Sequence, residues 1–115
     1  MRISIDLFRD ILIDIADHDD SFDLNCANLV YDEISQKAIN YHVRLLFEEG
    51  YINAIDASDK FGYDYCCLEL TLAGQLFLDK IENETIWNKT KSLIAKGASV
   101  TSIASIEQLV GTILK

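Results

Sequence analysis

The sequence predicts an α+β fold, and the prediction rests on the order of patterns between Gln36 and Leu72. A helical pattern in this stretch ends at Gly50, an apolar strand pattern follows at once, and a short polar loop leads to a second strand pattern. A further helix begins directly after that strand. A helix-turn-helix followed by a two-stranded wing is the order of a winged helix, and two more helical patterns follow at the C-terminus.

The first predicted helix runs from about Ile5 to Ala16, with Ser4 as its N-cap. Apolar residues recur in it at intervals of three and four, which is the spacing of one helical face. The apolar face holds Leu7, Phe8, Ile11, Leu12 and Ile15. After the acidic end of this helix we expect a short extended piece at Phe22–Leu24, where winged helices often carry their first strand.

The second helix of the predicted helix-turn-helix lies near Leu29 to Ser35, and the third at about Gln36 to Glu49. The third helix has a core stripe of Ile39, Val43 and Leu46, and Gly50 supplies its left-handed C-cap. A helix-turn-helix often carries glycine in its turn, and none occurs around Ser35. One long helix from Asp32 to Glu49 is therefore the alternative.

The hairpin strands are predicted at Tyr51–Ala57 and Tyr63–Leu70, separated by the glycine-containing loop Ser58–Gly62. Side chains alternate between the two faces of a strand. The inner face of the second strand is predicted to hold Cys66, Leu68 and Leu70, and the other face Tyr65, Cys67 and Glu69. Thr71 then caps a helix that runs to about Ile81.

The C-terminal third is predicted to be helical. Asn83 caps a helix that Gly97 ends, and a last helix starts near Ser102. The apolar stripes of these helices are Ile86, Trp87, Thr90 and Ile94 in one, and Ile103, Ile106, Val110 and Ile113 in the other. The second stripe, with Trp87, could pair two subunits in a homodimer, and packing onto the first helix is the alternative. We interpret residues 1–115 as a single winged-helix domain, with a core at 1–82 and a helical extension at 83–115.

The charge of the chain is acidic, with 19 acidic and 10 basic side chains and a net charge of −9. DNA-binding domains are usually basic, because they draw much of their affinity from neutralising phosphates. This balance argues against tight non-specific DNA binding and leaves room for a local basic face. Residues 1–35 hold nine acidic and two basic side chains, whereas residues 83–115 hold two acidic and four basic ones.

The sequence carries no motif for catalysis, a cofactor or a membrane span, so we expect a non-enzymatic cytoplasmic protein without a cofactor. No apolar run reaches the roughly 18 residues of a membrane helix, and charges interrupt the N-terminal stretch where a signal peptide needs an unbroken apolar region. Cys26, Cys66 and Cys67 lack metal-ligand spacing, and we interpret them as small buried hydrophobes.

The two histidines lack a partner in catalytic spacing. His42 lies at the edge of the core stripe of the third helix, and we interpret it as a helix-packing residue. His18 lies in an aspartate-rich segment, which we interpret as a solvated loop, with a metal site as the alternative.

The outward face of the third helix is the candidate DNA-binding surface. With about 3.6 residues per turn, it holds Lys37, Asn40, Tyr41, Arg44 and Glu48. Lysine and arginine bind phosphates or guanine edges, asparagine binds adenine bidentately, and tyrosine can donate to a phosphate. In a winged helix this face enters the major groove, and Lys60 in the wing could add a phosphate contact. We therefore expect a DNA-binding, transcription-regulator-like protein.

Two alternatives stand beside this hypothesis. The face could be plain solvated surface, since Glu48 and Glu49 repel phosphate. The chain could also be an acidic protein-interaction module, such as a phage-encoded inhibitor or adaptor that binds a host protein, which the charge of residues 1–35 favours. A positive surface around Lys37, Arg44 and Lys60 would favour DNA, and dominant carboxylates would favour a protein partner.

The segment INYHVRLLFEEGYI resembles the junction between recognition helix and strand in bacterial winged-helix regulators of the PadR, ArsR and MarR kinds, and LELTLAGQLFL resembles their strand-to-helix step. More closely, IDLFRDIL, INYHVRLLFEEGYI, LTLAGQLFLDKI and ETIWNKTKSLI resemble a family of small uncharacterised bacterial and prophage proteins known as a domain of unknown function. That resemblance covers nearly the full length. It implies a winged helix with C-terminal helices and transfers no catalytic residue.

Overall fold

A computed structural model gives the fold of the protein and describes residues 2–98, 100 and 102–114. These residues form five α-helices and one antiparallel sheet of two strands, which confirms the predicted α+β class. In chain order the elements are α1 (Ile5–Asp17), α2 (Gln36–Glu48), β1 (Ile52–Asp56), β2 (Tyr65–Leu70), α3 (Leu72–Ile81), α4 (Glu84–Ala95) and α5 (Ile103–Leu114), with 3₁₀ turns at Ser21–Asp23 and Cys26–Asn28. The chain divides into two compact units, residues 1–75 and 76–115. The single domain with a boundary after residue 82 stays a prediction.

Helices α1 and α2 pack against each other in the first unit. A serine hydroxyl caps each of them: Ser4 Oγ accepts from the Leu7 N–H at 3.3 Å, and Ser35 Oγ accepts from the Ala38 N–H at 3.1 Å. The five predicted apolar residues of α1 are all buried, and α2 buries Ile39, His42, Val43 and Leu46. The helical periodicity of the sequence therefore located both core stripes correctly.

The helix predicted near Leu29 to Ser35 is wrong, and so is the single long helix from Asp32 to Glu49. Residues 29–35 form no α-helix, because Glu33 has a φ of 62° and Ser35 is extended with a ψ of 151°. Ser35 must be extended for its hydroxyl to cap α2. The 3₁₀ turn at Cys26–Asn28, which precedes this segment in the chain, contacts α2.

The extended piece predicted at Phe22–Leu24 is also wrong, because Ser21–Asp23 form a 3₁₀ turn. The carboxylate of Asp20 accepts from the Phe22 N–H at 3.0 Å and so caps this turn. Only Leu24 is extended, and its carbonyl accepts from the Leu68 N–H at 3.0 Å. One backbone hydrogen bond therefore fastens the segment to β2.

The hairpin contains a bulge in β2 that the sequence did not predict. Asn53 pairs with Glu69 and Ile55 pairs with Cys66, so two residues of β2 lie opposite one residue of β1. Cys67, one of the two, has a φ of 57°. The bulge shifts the alternation of faces by one residue. Tyr65 is consequently buried, with 3% of its surface exposed, and its predicted place on the outer face is wrong.

Thr71 joins the end of the hairpin to α3 and caps that helix, as predicted. Its Oγ1 accepts from the Gly74 N–H at 3.1 Å and donates to the Gly50 carbonyl at 2.6 Å. The Thr71 N–H donates to the carbonyl of Tyr51 at 3.1 Å. The first turn of α3 lies so close to Tyr51 that Gly74 has no room for a side chain: an added Cβ would overlap the Tyr51 carbonyl oxygen.

The second unit contains α4 and α5, which pack against each other. Asn83 caps α4 through a 3.1 Å bond from the Ile86 N–H, as predicted. Lys80 and Glu107 form an ion pair at 3.7 Å. The buried residues of the two helices are Trp87, Thr90, Ile103, Ile106 and Val110, all of which belong to the predicted stripes.

We expect Gly74→Ala to lower the free energy of unfolding by about 2–4 kcal/mol, because the new methyl group overlaps backbone that cannot move without disturbing the Thr71 cap. Gly111→Ala in α5 is the matched control. Its Cβ would meet nothing within 4 Å, and the loss of a helical glycine should stabilise the protein by roughly 0.5–1 kcal/mol. Urea unfolding of both variants measures the difference, and equal stabilities would contradict the close approach of Gly74 to Tyr51.

Candidate functional site

A groove of about 480 Å³ lies between α2 and the loop that joins β1 to β2, and we call it the α2–loop groove. It is lined by Gln36, Lys37, Asn40 and Tyr41 of α2 and by Phe61, Gly62 and Tyr63 of the loop. Three of the five residues predicted to contact DNA, namely Lys37, Asn40 and Tyr41, therefore come together here. The helix supplies one wall and the loop the other, so the groove depends on how the loop is held.

Asn40 holds the loop against α2. Its Nδ2 donates to the carbonyl of Tyr63 at 2.8 Å, and its Oδ1 accepts from Gln36 Nε2, also at 2.8 Å. The Gln36 amide donates to the Cys26 carbonyl at 2.8 Å as well. Bidentate recognition of adenine needs both the donor and the acceptor of the asparagine amide. Because both are engaged within the protein, Asn40 is a positioning residue in this structure.

Arg44 contacts the same loop through the ring of Tyr63. Its Nε donates to Glu48 Oε1 at 3.1 Å, and its guanidinium carbon lies 4.4 Å from the centre of the Tyr63 ring. The carboxylate offsets the charge of Arg44, while the ring covers one side of the guanidinium. The structure thus places Arg44 at the side of the loop, engaged with two neighbours.

The other three residues predicted to contact DNA are Lys37, Tyr41 and Lys60. Lys37 and Lys60 are exposed. Lys60 lies outside the described lining of the groove, and its ammonium nitrogen is 5.2 Å from the centre of the Phe61 ring. Tyr41 is half-buried, with its ring edge-on to that of His42. Lys37 therefore lies in the helix wall of the groove, and Lys60 lies on the loop outside the described lining.

Phe61 and Tyr63 are site residues that sequence reasoning missed. Phe61 is 81% exposed and Tyr63 45% exposed. Two aromatic residues on either side of a glycine in an otherwise polar loop were the available signal, since an exposed aromatic at a loop tip often marks a contact surface. Gln36 and Gly62 also line the groove and were not predicted, and in the sequence Gln36 looks like ordinary helix surface.

The loop that carries Phe61 is held by its own hydrogen bonds. Asp59 and Gly62 exchange backbone hydrogen bonds of 3.1 and 3.2 Å, and the Phe61 N–H donates to the Asp59 carboxylate at 2.8 Å. Gly62 has a φ of 147°, which favours glycine at this turn. The backbone at Phe61 is therefore held in a structured turn, from which the ring is exposed.

Charge is distributed unequally on the two sides of Phe61. The described residues that line the α2–loop groove include one cation, Lys37, and no carboxylate. An adjoining cavity of about 280 Å³ is lined by Asp59 and Asp64, and it shares with the groove Gln36, Asn40, Phe61, Gly62 and Tyr63. The groove is thus a carboxylate-free surface beside an acidic one.

His42 packs between helices, as predicted, and is only 1% exposed. Its Nδ1 lies 2.7 Å from the Ala38 carbonyl, to which it donates, and its Nε2 accepts from the Ser4 N–H at 2.8 Å. Both bonds require the neutral ring, because protonated histidine has no acceptor. Burial lowers the pKa of His42 below its usual range. His42 therefore ties the start of α1 to α2 only while it is neutral.

The aspartate-rich segment around His18 is an exposed loop with an internal pair. His18 Nε2 bonds to the Asp23 carboxylate, and this bond raises the pKa of His18. Within residues 2–98, 100 and 102–114, no group of three histidine, cysteine or carboxylate side chains is arranged to hold a metal ion.

Burial raises the pKa of the Cys26 thiol to about 11, so it is protonated at neutral pH. No helix in the described part of the chain is long and apolar enough to cross a membrane.

Comparison with known proteins places the chain in a family. Residues 2–101 match the family described as "Hypothetical protein (DUF2513)". The chain belongs to the DUF2513 family. An "Uncharacterized protein" of Haemophilus influenzae is 31% identical over 117 residues, which cover 99% of this chain and 96% of that relative. No solved structure matches. The predicted membership in a family of small uncharacterised proteins is confirmed.

We expect the stability of the protein to fall as the pH drops below about 6.5, because the pKa of His42 is lower in the folded chain than its ordinary value near 6.5 in the unfolded one. This contribution is complete above that pH and is lost as the pH falls through the folded pKa. His18 has the opposite sign, since its folded pKa is raised and its contribution is lost at high pH. Urea midpoints between pH 5 and 7.5 should show a step that His42→Gln removes and His18→Gln leaves in place. The same step in His42→Gln would contradict this role.

We expect Asn40→Ala to loosen the loop, because it removes the bond from α2 to the Tyr63 carbonyl. Amide hydrogen exchange at Asp59 and Gly62 should accelerate, while the stability of the whole protein falls by only about 1–2 kcal/mol. Asn53→Ala, at an exposed position of β1, is the matched control and should leave exchange in the loop unchanged. Equal exchange in both variants would show that Asn40 does not position the loop.

Proposed function

We propose that the protein is a non-enzymatic DNA-binding protein with a winged-helix arrangement, in which α2 is the recognition helix and the β1–β2 hairpin is the wing. The order of α1, α2, β1 and β2 supports this arrangement, and Leu24 bonds to β2 where a first strand would lie. The Leu46-to-Gly50 junction supports the more distant resemblance to PadR-, ArsR- and MarR-type regulators. A 3₁₀ turn at Cys26–Asn28 takes the place of the second helix.

One observation carries the proposal. In a chain with a net charge of −9, the described lining of the α2–loop groove holds Lys37 and no carboxylate. A groove that differs in sign from the rest of an acidic surface can hold a polyanion where the surrounding surface repels it. The groove also lies on the outward face of α2, the face that enters the major groove of DNA in winged helices.

The set of contact residues is smaller in this proposal than the sequence suggested. Lys37 would contact a phosphate from α2, Lys60 would contact another from the loop, and Tyr41 would donate its hydroxyl to a third oxygen. Asn40 and Arg44 would act indirectly, by holding the loop against α2. Few phosphate contacts imply modest affinity, and carboxylates around the site should restrict the orientations in which DNA can approach.

A second candidate function is supported by a different surface. A cavity of about 490 Å³ follows the end of α1 and is lined by Asp14, Asp17, His18 and Asp23, with apolar Leu24 and Leu29 beside them. Such a cavity suits a lysine or arginine side chain of a protein partner. This cavity would be the binding surface of the acidic protein-interaction module. Its aspartates carry negative charge, whereas the α2–loop groove carries the positive charge of Lys37.

The DNA proposal predicts that Lys37→Ala and Lys60→Ala each weaken binding to a DNA duplex by roughly 3- to 10-fold at low salt. Each variant should also lower the slope of log affinity against log salt concentration by about 1, because one phosphate contact is lost. Lys96→Ala removes an exposed charge near the end of α4 and serves as the matched control. Fluorescence anisotropy with a labelled duplex measures all three.

Two results would contradict the proposal. The first is the absence of binding at about 50 µM protein in low salt, a concentration at which non-specific complexes of DNA-binding proteins form. The second is an equal loss of affinity in Lys37→Ala and Lys96→Ala, which would mean that net charge alone governs binding.

A further inference from the structure

We propose that the α2–loop groove holds one unstacked nucleobase of the bound DNA, with the ring of Phe61 as its stacking surface. This inference rests on the proposed function and specifies which kind of DNA the protein prefers. DNA carrying an unpaired base would bind more tightly than the same duplex fully paired. The volume of this open groove, about 480 Å³, lies within the range of small-ligand sites, roughly 300–1,000 Å³.

Phe61 has the exposure and the support that a stacking surface needs. Its ring is 81% exposed and borders the groove. Its backbone N–H donates to the Asp59 carboxylate, and this bond reduces the loop entropy that binding must remove. Each aromatic ring of the groove has a cation over it, Lys60 at 5.2 Å for Phe61 and Arg44 at 4.4 Å for Tyr63, but Tyr63 is only 45% exposed. The most accessible aromatic surface of the groove therefore belongs to Phe61.

The polar groups of the groove suit a nucleotide. Tyr41 lines it with a neutral hydroxyl group, and Lys37 adds a positive charge that a phosphate can meet. The ammonium nitrogen of Lys60 lies over the Phe61 ring, 5.2 Å from its centre, and adds a second positive charge beside the groove. Proteins that bind unpaired nucleic acid combine aromatic surfaces with cations along the backbone in this way.

The charge of the groove selects against basic occupants. A lysine- or arginine-rich segment would meet Lys37 and no balancing carboxylate among the described lining residues. A base within an intact duplex would have to leave its stack, which costs a few kcal/mol and costs least when the base is already unpaired. The unpaired base is therefore the favoured occupant.

The test uses the full chain and two DNA molecules. One is a fully paired duplex, and the other is the same duplex with one extra unpaired 2-aminopurine, whose fluorescence falls when it stacks on an aromatic ring. We expect roughly tenfold tighter binding of the second DNA and quenching of its fluorescence on binding. Phe61→Ala should bring the ratio of the two affinities close to one. Phe22→Ala, which removes a phenylalanine that is 83% exposed elsewhere, should keep the preference.

Each outcome decides the proposal. Equal affinities with unchanged fluorescence overturn the nucleobase site while leaving DNA binding standing. A preference that survives in Phe61→Ala also overturns it, because the stacking surface would then lie elsewhere. Failure to bind either DNA overturns both this inference and the proposed function.

Discussion

The side-chain amide of Asn40 joins α2 to the loop of the hairpin, and the candidate site depends on this junction. Through its 2.8 Å bond to the Tyr63 carbonyl, the helix fixes the position of a loop that is distant in the chain. Gln36 completes the amide's hydrogen bonding from the preceding turn, and Arg44 packs on Tyr63 from the following one. Without this junction the groove would lose a wall, and Phe61 would lose its fixed place relative to Lys37.

The acidity of the chain gives this groove its significance. A single lysine on a basic protein would carry little information, because cations would surround it. Here most of the charge is negative, and aspartates line both the cavity beside Phe61 and the one after α1. A surface patch of the rarer sign can direct an anionic partner to one place and one orientation. The proposed site is therefore defined as much by the repulsion around it as by its own contacts.

Local patterns predicted the helices and their caps, because periodicity and capping depend on neighbouring residues. The core stripes of α1 and α2, and the caps at Ser4, Thr71 and Asn83, are examples. Residues 29–35 were mispredicted because the extended cap at Ser35 outweighed a weak helical pattern. Tyr65 was placed on the wrong face because a bulge leaves no mark in the alternation of apolar residues.

The roles of the site residues were harder to predict, because their partners are far away in the chain. Asn40 looked like a residue that reads bases, yet its acceptor lies 23 residues later. Only the folded chain shows that Asn40 and Arg44 are engaged, and that Lys37, Tyr41 and Phe61 border one groove. The aromatic pair around Gly62 was visible in the sequence and could have indicated that the loop belongs to the site.

We propose the α2–loop groove as the surface of the protein that contacts DNA. The most direct measurement is an NMR titration of the isotope-labelled protein with a short DNA duplex, in which the backbone amide signals report the contact surface. We expect the largest shifts at residues 36–41 and 60–63, with little change in α1. Shifts confined to α1 and the aspartate-rich loop after it, or no shifts at all, would contradict the claim.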